Sequence, residues 1–359
     1  MQIGNDSIER KLMQLHNQDP EVRLVCPACR VELTYSHSYL CPLCGTQYPF
    51  RGGVLRMLGQ VDEQERKTRA AFDFEHRQFE RARYLRISST LVDDWLRDVQ
   101  LPKDYFLGRT VLDLGCGSGR WTYALAVLGA RVVAVDFTDA AVDITREVTK
   151  HLPNVEVIQA NLFRLPFKLE QFDFVVCWGV LHHTADTHKA FRTIAPLVRP
   201  QGILHVMVYE TRSPLKVAGT ELLRVILRRL SPEWRYRFCR HLVIKNRLLF
   251  HLFRAFVACV PVQELTERFD AEAAQFGLYD WYSPQYNHLH RVAEVRGWFQ
   301  DEGFSDVRVT TPIKYHKRLD IFRFGECGGS ISMRGKKALI ANGANHLPTQ
   351  TQKSLHVGP

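Results

Sequence analysis

The sequence predicts an α/β protein with a small metal-binding appendage at its N-terminus and a basic helical insertion late in the chain. Three observations predict this. Residues 109–114 form an apolar run that ends in a glycine-rich turn and passes into helical period at 120–128, and further apolar runs follow at 131–135, 155–159, 171–176 and 202–209. Four cysteines cluster near the N-terminus, whereas five are scattered. From Arg212 to Arg254 eleven Lys or Arg stand against only Glu221 and Glu233, an excess of nine in a chain of formal net charge +10.

At about 150 residues per domain, 359 residues imply one large domain with an appendage, or two domains. Hydrophobic residues make up 45% and charged residues 24%, which suits a buried core and excludes whole-chain disorder, collagen and coiled coil. No run approaches the ~18–20 apolar residues of a membrane span, and residues 1–10 lack a basic segment followed by an apolar run. The expected location is the cytoplasm. The cysteines do not suggest a disulfide framework.

The first element reads Cys26-Pro-Ala-Cys29, eleven residues, then Cys41-Pro-Leu-Cys44-Gly45. Each C-x-x-C turn lets two sulfurs converge on one ion, so four thiolates at this spacing point to tetrahedral Zn2+. With four protein ligands no position is left for water, and the predicted zinc is structural. It would stabilise the segment by on the order of 10 kcal/mol, beyond the reach of so small a core. Residues 31–33 and 38–40 are predicted to form a hairpin, with 47–49 as a third strand. The run CPAC…CPLCGTQYPFRGGVLRML resembles the small zinc-ribbon activator subunit that partners tRNA and rRNA methyltransferases, over residues 23–58. Such a ribbon either covers an apolar surface of its own chain or touches nucleic acid.

Residues 61–99 are charged and helical in period, with Phe72, Glu75 and Phe79 interleaved with Arg69, Arg77, Arg81, Arg83 and Arg86. They read as a solvated helix pair joining two domains, with a lid as the alternative.

The glycine-rich turn is Asp113-Leu-Gly115-Cys-Gly117-Ser-Gly119. Glycines permit positive φ and close approach of a ligand to the backbone, and the helix after them offers free N–H groups. A dinucleotide fingerprint would need glycine at position 120, which is Arg120. The pattern instead resembles motif I of class I S-adenosylmethionine-dependent methyltransferases. The resemblance implies that this loop holds the methionine part of S-adenosyl-L-methionine, with Asp113 adding polar contacts. The second strand ends at Asp136, beside Phe137, where a carboxylate can accept both ribose hydroxyls. The third is followed by Asn161-Leu162, where the family usually carries Asp for the adenine amino group; an amide oxygen can also accept that bond.

The fourth strand ends in Cys177-Trp178-Gly-Val-Leu-His182-His183, matching the family segment beside the transferred methyl. A His with an ordinary pKa near 6.5 suits proton acceptance from a nucleophile, so His182 and His183 are the catalytic candidates, with loop ordering as their other reading. Tyr209 and Glu210 end the fifth strand at the same crevice. The resemblance covers residues 107–209 and resumes at 290–304 with a late helix, at 307–310 with strand six and at 330–339 with the last, antiparallel strand. It implies a Rossmann-like, seven-stranded methyltransferase sheet.

Residues 213–276 interrupt that fold with a helical insertion of lid size. Arg247, His251 and Arg254 fall on one face, and Leu249, Leu252, Phe253 and Phe256 on the other. Such a helix packs on the core, lies on anionic membrane, or grips RNA. The aromatic run that follows, with Tyr282, Tyr286 and His288, suits a substrate-facing loop and resembles a segment of bacterial methyltransferases acting on small molecules or glycans; ordinary core packing is the competing view.

The predicted organisation is an extension (1–22), zinc ribbon (23–59), helical linker (60–106), cofactor core (107–211), insertion with aromatic loop (212–289), completion of the core (290–340) and a disordered tail (341–359). The predicted function is in-line methyl transfer from S-adenosylmethionine to a small-molecule, glycan or lipid-like acceptor. The alternatives are an rRNA/tRNA base methyltransferase, a partner-binding scaffold without catalysis and, third, a dehydrogenase. The oligomeric state is not legible.

Overall fold

A computed structural model describes residues 22–36, 38–79, 87–211, 214–245, 271–310 and 329–339. The N-terminal ribbon comprises β1 (Thr34–Tyr35), β2 (Tyr39–Leu40) and β3 (Gln47–Tyr48), antiparallel in that order. The predicted hairpin arm at 31–33 is displaced to 34–35. Residue 31 instead closes the cysteine turn, Cys26 N–H donating to the Val31 carbonyl at 2.8 Å, and Glu32 bridges to Val25. β4 (Phe50–Arg51) and β5 (Val54–Arg56) then turn out of the ribbon, through Gly52 and Gly53, both at positive φ.

Next come α1 (Glu63–Phe79) and α2 (Leu91–Val99). β6 (Thr110–Leu114), α3 (Arg120–Val127), β7 (Arg131–Asp136), α4 (Asp139–Thr149), β8 (Val155–Gln159), β9 (Phe172–Trp178), α5 (Thr187–Ile194) and β10 (Val198–Tyr209) form the alternating core. The insertion contributes α6 (Pro214–Leu227), α7 (Pro232–Arg240) and α8 (Ala271–Tyr282), and α9 (Val292–Asp301), β11 (Phe304–Val309) and β12 (Ser330–Lys337) follow among the described residues.

Among the described residues nine strands make the main sheet, in the order β11-β12-β10-β9-β6-β7-β8-β5-β4. Seven of them are the predicted Rossmann-like set, with β12 antiparallel to β10. The other two come from the ribbon: β5 runs parallel to β8, pairing Leu55 with Ile158 and Arg56 with Gln159. Strand β6 is buried along its whole length, as a central parallel strand covered on both faces must be. The winding reverses between β6 and β9, which opens a crevice at their carboxyl ends.

Two apolar layers flank the sheet. One holds Leu112, Val133, Ile158, Val175, Phe191 and Phe299, and the ribbon's Tyr39, Tyr48 and Leu55 pack into the same cluster. The other is centred on Trp95, Phe106 and Phe174, with Trp95 edge-on to Phe174 at 6.0 Å; burying each such ring contributes roughly 2–3 kcal/mol. A third cluster joins Phe79 of α1 to Leu227, Cys239, Tyr279 and Trp281 of the insertion. Residues 61–79 are therefore not a solvated linker: α1 buries Glu75 and Phe79.

Arg81, Arg83 and Arg86, the predicted amphipathic face at Arg247, Leu249, His251, Leu252, Phe253, Arg254 and Phe256, residues 1–21 and the tail from 340 lie outside the described residues. Among the described residues, no helix is long and apolar enough to cross a membrane.

Candidate active site

A cavity of about 660 Å³ opens at the reversal point, within the range of about 300–1,000 Å³ typical of ligand pockets. Its floor is the glycine loop. Gly115, Gly117 and Gly119 have φ of 75°, 53° and 77°. A Cβ on Gly115 would lie 2.1 Å from Val180 Cγ2, so both the dihedral and the space demand glycine there. Gly119 lies off the cavity, as the N-cap of α3 packed on Thr145.

Asp136 lines the cavity and holds the loop: its Oδ2 accepts from Gly117 N–H at 3.1 Å, and its Oδ1 from Thr138 N–H at 2.9 Å. Asp113 does not line the cavity. It lies beneath the loop, accepting from the Thr122 hydroxyl at 2.6 Å, and burial pushes its carboxyl up to about 7. Its geometry ties β6 to α3; the polar contact with cofactor implied for it by the family has no opening here.

Phe137, Asn161, Leu162 and Trp178 all line the cavity. Asn161 donates from Nδ2 to Glu65 Oε1 at 2.7 Å, and its Oδ1 accepts from Phe163 N–H at 2.9 Å. An Asp here would face the Glu65 carboxylate, which accounts for the amide. The Trp178 indole N–H donates to Asp98 at 3.0 Å, and Asp98 also accepts from the Ser332 hydroxyl at 3.0 Å. Burial pushes Asp98 up to about 6.

Helix α1 covers the site. Glu65, Thr68, Phe72, Glu75 and His76, at helical spacing on one face, line the cavity, while Arg66, Lys67 and Arg77 stay in solvent. Its ends are tied down. Arg164 donates to both Glu65 oxygens at 2.8 and 2.7 Å, and Asp73 accepts from Ala140 N–H at 2.8 Å at the start of α4.

The far wall carries titratable side chains. His183 Nδ1 lies 3.0 Å from the Tyr286 carbonyl and its Nε2 3.7 Å from Asp280 Oδ1, while the Tyr209 hydroxyl donates to Asp280. All four residues line the cavity. Burial lowers the His183 pKa, opposed by the Asp280 charge. His182 is 0% exposed, lies off the cavity, packs at a tilt against the Tyr209 ring with centroids 4.0 Å apart and is held well below the ordinary histidine range by burial. Tyr282 is likewise buried off the cavity, and His288 stacks behind Tyr286 at 6.0 Å. Glu210 accepts from Gly329 N–H at 3.2 Å rather than reaching the cavity.

The insertion's charge is partly internal. Arg224, 1% exposed, donates to the carbonyls of Trp281 and of Pro284, the latter at 3.0 Å. Arg228 reaches the Gln285 carbonyl at 2.9 Å and Arg235 the Ser283 carbonyl at 2.8 Å. Three arginines thus satisfy the carbonyls left over where α8 ends, and they hold the segment carrying Tyr286. The outer side of α6 and α7 exposes Leu222, Val225, Ile226 and Trp234, and the turn between them exposes Leu230.

The four ribbon sulfurs, on Cys26, Cys29, Cys41 and Cys44, lie within 4.8 Å of one another, compatible with the S···S separation of about 3.8 Å around tetrahedral zinc. Cys29 N–H and Cys44 N–H point at the Cys26 and Cys41 sulfurs, at 3.4 and 3.5 Å. The donor set fits a thiolate-bound metal. The ribbon faces its own chain: Arg30 donates to the Leu165 and Phe167 carbonyls at 2.5 and 2.6 Å, and Val25 N–H to the Pro166 carbonyl at 2.9 Å. The clamped loop begins with Leu162, Phe163 and Arg164 on the cavity wall.

Sequence reasoning missed Glu65, His76, Asp98 and Asp280. Glu65, His76 and Asp98 sit on helices whose period was legible, but nothing local says what their buried faces meet; Asp280 falls in the aromatic run predicted as a loop, and the structure corrects its first part to the end of α8.

The profile of the methyltransferase domain family matches residues 111–202. A demethylmenaquinone methyltransferase of Staphylococcus haemolyticus is 25% identical over 149 residues, 41% of this chain and 62% of that protein. A "Probable S-adenosylmethionine-dependent methyltransferase" of Mycobacterium tuberculosis is 38% identical over 98 residues, 27% of this chain and 35% of its own length. A ubiquinone biosynthesis O-methyltransferase of Haemophilus ducreyi is 30% identical over 112 residues, 30% of this chain and 48% of that protein. The chain therefore spans less than two thirds of each of these relatives. With the strand order, the glycine loop and these matches together, the chain carries a class I S-adenosylmethionine-dependent methyltransferase domain.

Proposed function

We propose that the protein transfers the methyl group of S-adenosylmethionine to a small-molecule, glycan or lipid-like acceptor. The observation that carries this is that one cavity is lined both by Gly115, Gly117 and Asp136 and by His183, Tyr209, Asp280 and Tyr286. Gly115, Gly117, Asp136, Phe137, Asn161, Leu162 and Trp178 would hold the cofactor. When bound, it supplies an activated sulfonium methyl for in-line displacement, so positioning can provide most of the catalysis.

The chain's own contribution is orientation and proton transfer. A carbonyl can only accept, so His183 Nδ1 keeps its proton for Tyr286 and Nε2 keeps the lone pair. A hydroxyl acceptor would release its proton to Nε2, and Asp280 would stabilise the resulting imidazolium. The quinone-related names of two relatives support a ring-hydroxyl or quinol-like acceptor. The RNA alternative draws less support, because the ribbon docks on its own chain and three insertion arginines point inward. Zn2+ held by the four cysteines would be structural. The exposed apolar stripe of α6 and α7, bordered by exposed Arg229, Arg237 and Arg240, supports peripheral contact with anionic membrane.

The test is calorimetric titration of zinc-replete protein with S-adenosylmethionine and S-adenosylhomocysteine, with NAD as control and Asp136→Ala as the site variant, followed by labelled methyl transfer to quinols, phenols, lipids and RNA. Failure of folded protein to bind either cofactor form would sink the enzyme reading and leave the scaffold.

A further inference from the structure

Glu75 is an acid out of place. It stands on the cavity-facing side of α1 between Phe72 and His76, 3% exposed, and its Oε2 has no hydrogen-bond partner among the described residues. No Lys or Arg forms an ion pair with it among those residues. An ionised carboxylate in such a place is costly unless a counterion arrives.

The groups around it do not supply one. From α8 come Asp280, a second acid on the cavity, and Tyr279; from α1 itself comes His76, and from the segment after β9 comes His183. Burial lowers both histidines and favours their neutral forms. Burial, then the Asp280 charge, raises the Glu75 carboxyl well above its ordinary range. The walls beside it are aromatic faces: Phe72, Tyr209, Phe276 and Tyr286. Glu75, without a basic partner among the described residues, and Asp280, whose neighbours are the Tyr209 hydroxyl and a His183 that burial keeps neutral, stand among aromatic rings and are together complementary to an organic cation.

We propose that Glu75 is the counterion for an organic cation bound in this cavity, with Asp280 as the second negative group. The shared chemistry is an ammonium or sulfonium. Two sources carry it: the cofactor, which bears both, and an acceptor that is itself an amine. Naming the cofactor as a source rests on the methyl-transfer reading; the site itself does not. Glu75 holds a proton in the empty cavity and releases it when the cation enters.

The experiment is calorimetry on the zinc-replete full chain at pH 7, in two buffers of different ionisation enthalpy, comparing wild type with Glu75→Gln. S-adenosylmethionine and S-adenosylhomocysteine are titrated first, then tetramethylammonium into protein saturated with S-adenosylhomocysteine, with sodium chloride as control. The expected loss in the variant is roughly tenfold to a hundredfold, that of a charge-assisted contact. A loss larger for S-adenosylmethionine than for S-adenosylhomocysteine assigns the sulfonium. Equal losses assign the cofactor ammonium, and a loss confined to tetramethylammonium assigns an amine acceptor. Proton release on binding should disappear in the variant. Unchanged affinity for all three, with unchanged proton release, overturns the proposal. If wild type binds tetramethylammonium but neither cofactor form, the methyl-transfer reading fails and the cation site stands. Glu75→Met repeats the test if the amide variant does not fold.

Discussion

His183 Nδ1 lies 3.0 Å from the carbonyl oxygen of Tyr286, and this contact decides which imidazole nitrogen carries the proton. Nε2 then keeps the lone pair and lies buried 3.7 Å from Asp280 Oδ1. The adjacent His182 has no such orienting partner, neither of its ring nitrogens being bonded among the described residues.

His183→Asn should therefore lower turnover of a hydroxyl acceptor by about 10²–10⁴-fold, with little change in cofactor affinity. His182→Phe should act mainly on stability. Burial depresses the folded pKa of His183 below its ordinary value. The folded state thus binds fewer protons than the unfolded one, and the stability owed to neutral His183 is lost as pH falls below about 6.5. Turnover against pH, and melting temperature against pH for wild type and His183→Asn, check both limbs.

Asp113 and Asp136 should separate in their effects. Asp136→Ala should abolish measurable cofactor binding, whereas Asp113→Asn should leave it within a few fold, since Asp113 lies off the cavity. The Asp113 carboxyl is raised from 3.8 to about 7 by burial, so stability from its protonated form is present below 3.8 and lost as pH rises to about 7. Relative to wild type, Asp113→Asn should gain stability over that window and hold the gain above it. Denaturant midpoints at pH 5 and pH 8 measure the difference.

Removing metal from the ribbon should weaken cofactor binding although no cysteine of the ribbon touches the cavity. Arg30, which donates hydrogen bonds to the Leu165 and Phe167 carbonyls, is the mechanical link. Cys41→Ser or chelation should release zinc, measured by atomic emission, and raise the dissociation constant for S-adenosylhomocysteine. Arg30→Ala should keep the metal and cost about 1.5–3 kcal/mol of stability in denaturant titrations.

Arg224 is the insertion's internal clamp. Arg224→Met should destabilise the Trp281 to Pro284 segment by removing the charged donor from both carbonyls, leaving that of Trp281, among the described residues, with only the 3.2 Å bond from Asn287 Nδ2, at about 1–3 kcal/mol for each lost charged donor. Arg224→Lys should not restore it, because one ammonium cannot reproduce the planar fork. The expected signature is a raised KM for acceptor at unchanged cofactor affinity. Parallel loss of both would refute the assignment of this segment to the acceptor side.

Exposed Leu222, Ile226 and Trp234 should govern membrane contact if the insertion provides it. Their joint replacement by Ser should abolish co-sedimentation with vesicles containing anionic lipid and spare cofactor binding. Absence of wild-type co-sedimentation would remove membrane contact from the reading.

Local patterns made much of this protein legible from sequence. Gly115, Gly117 and Gly119 announce a backbone that must take positive φ, and the paired cysteine turns announce converging sulfurs. Asp136 was legible because its strand ends one crossover after that loop. These features depend on dihedral preference and short spacing, which any stretch of chain carries with it. Tertiary structure alone decided which acids and bases meet. Asp280 reaches His183 from a helix far along the chain, Glu75 enters the cavity because α1 lies across it, and Arg224 is buried because α6 packs beneath the end of α8. Helical period indicates that a face is buried but not against what. The ribbon shows the same division: its metal site follows from cysteine spacing, and its docking on residues 165–167 follows from apolar surface that only the folded sheet assembles.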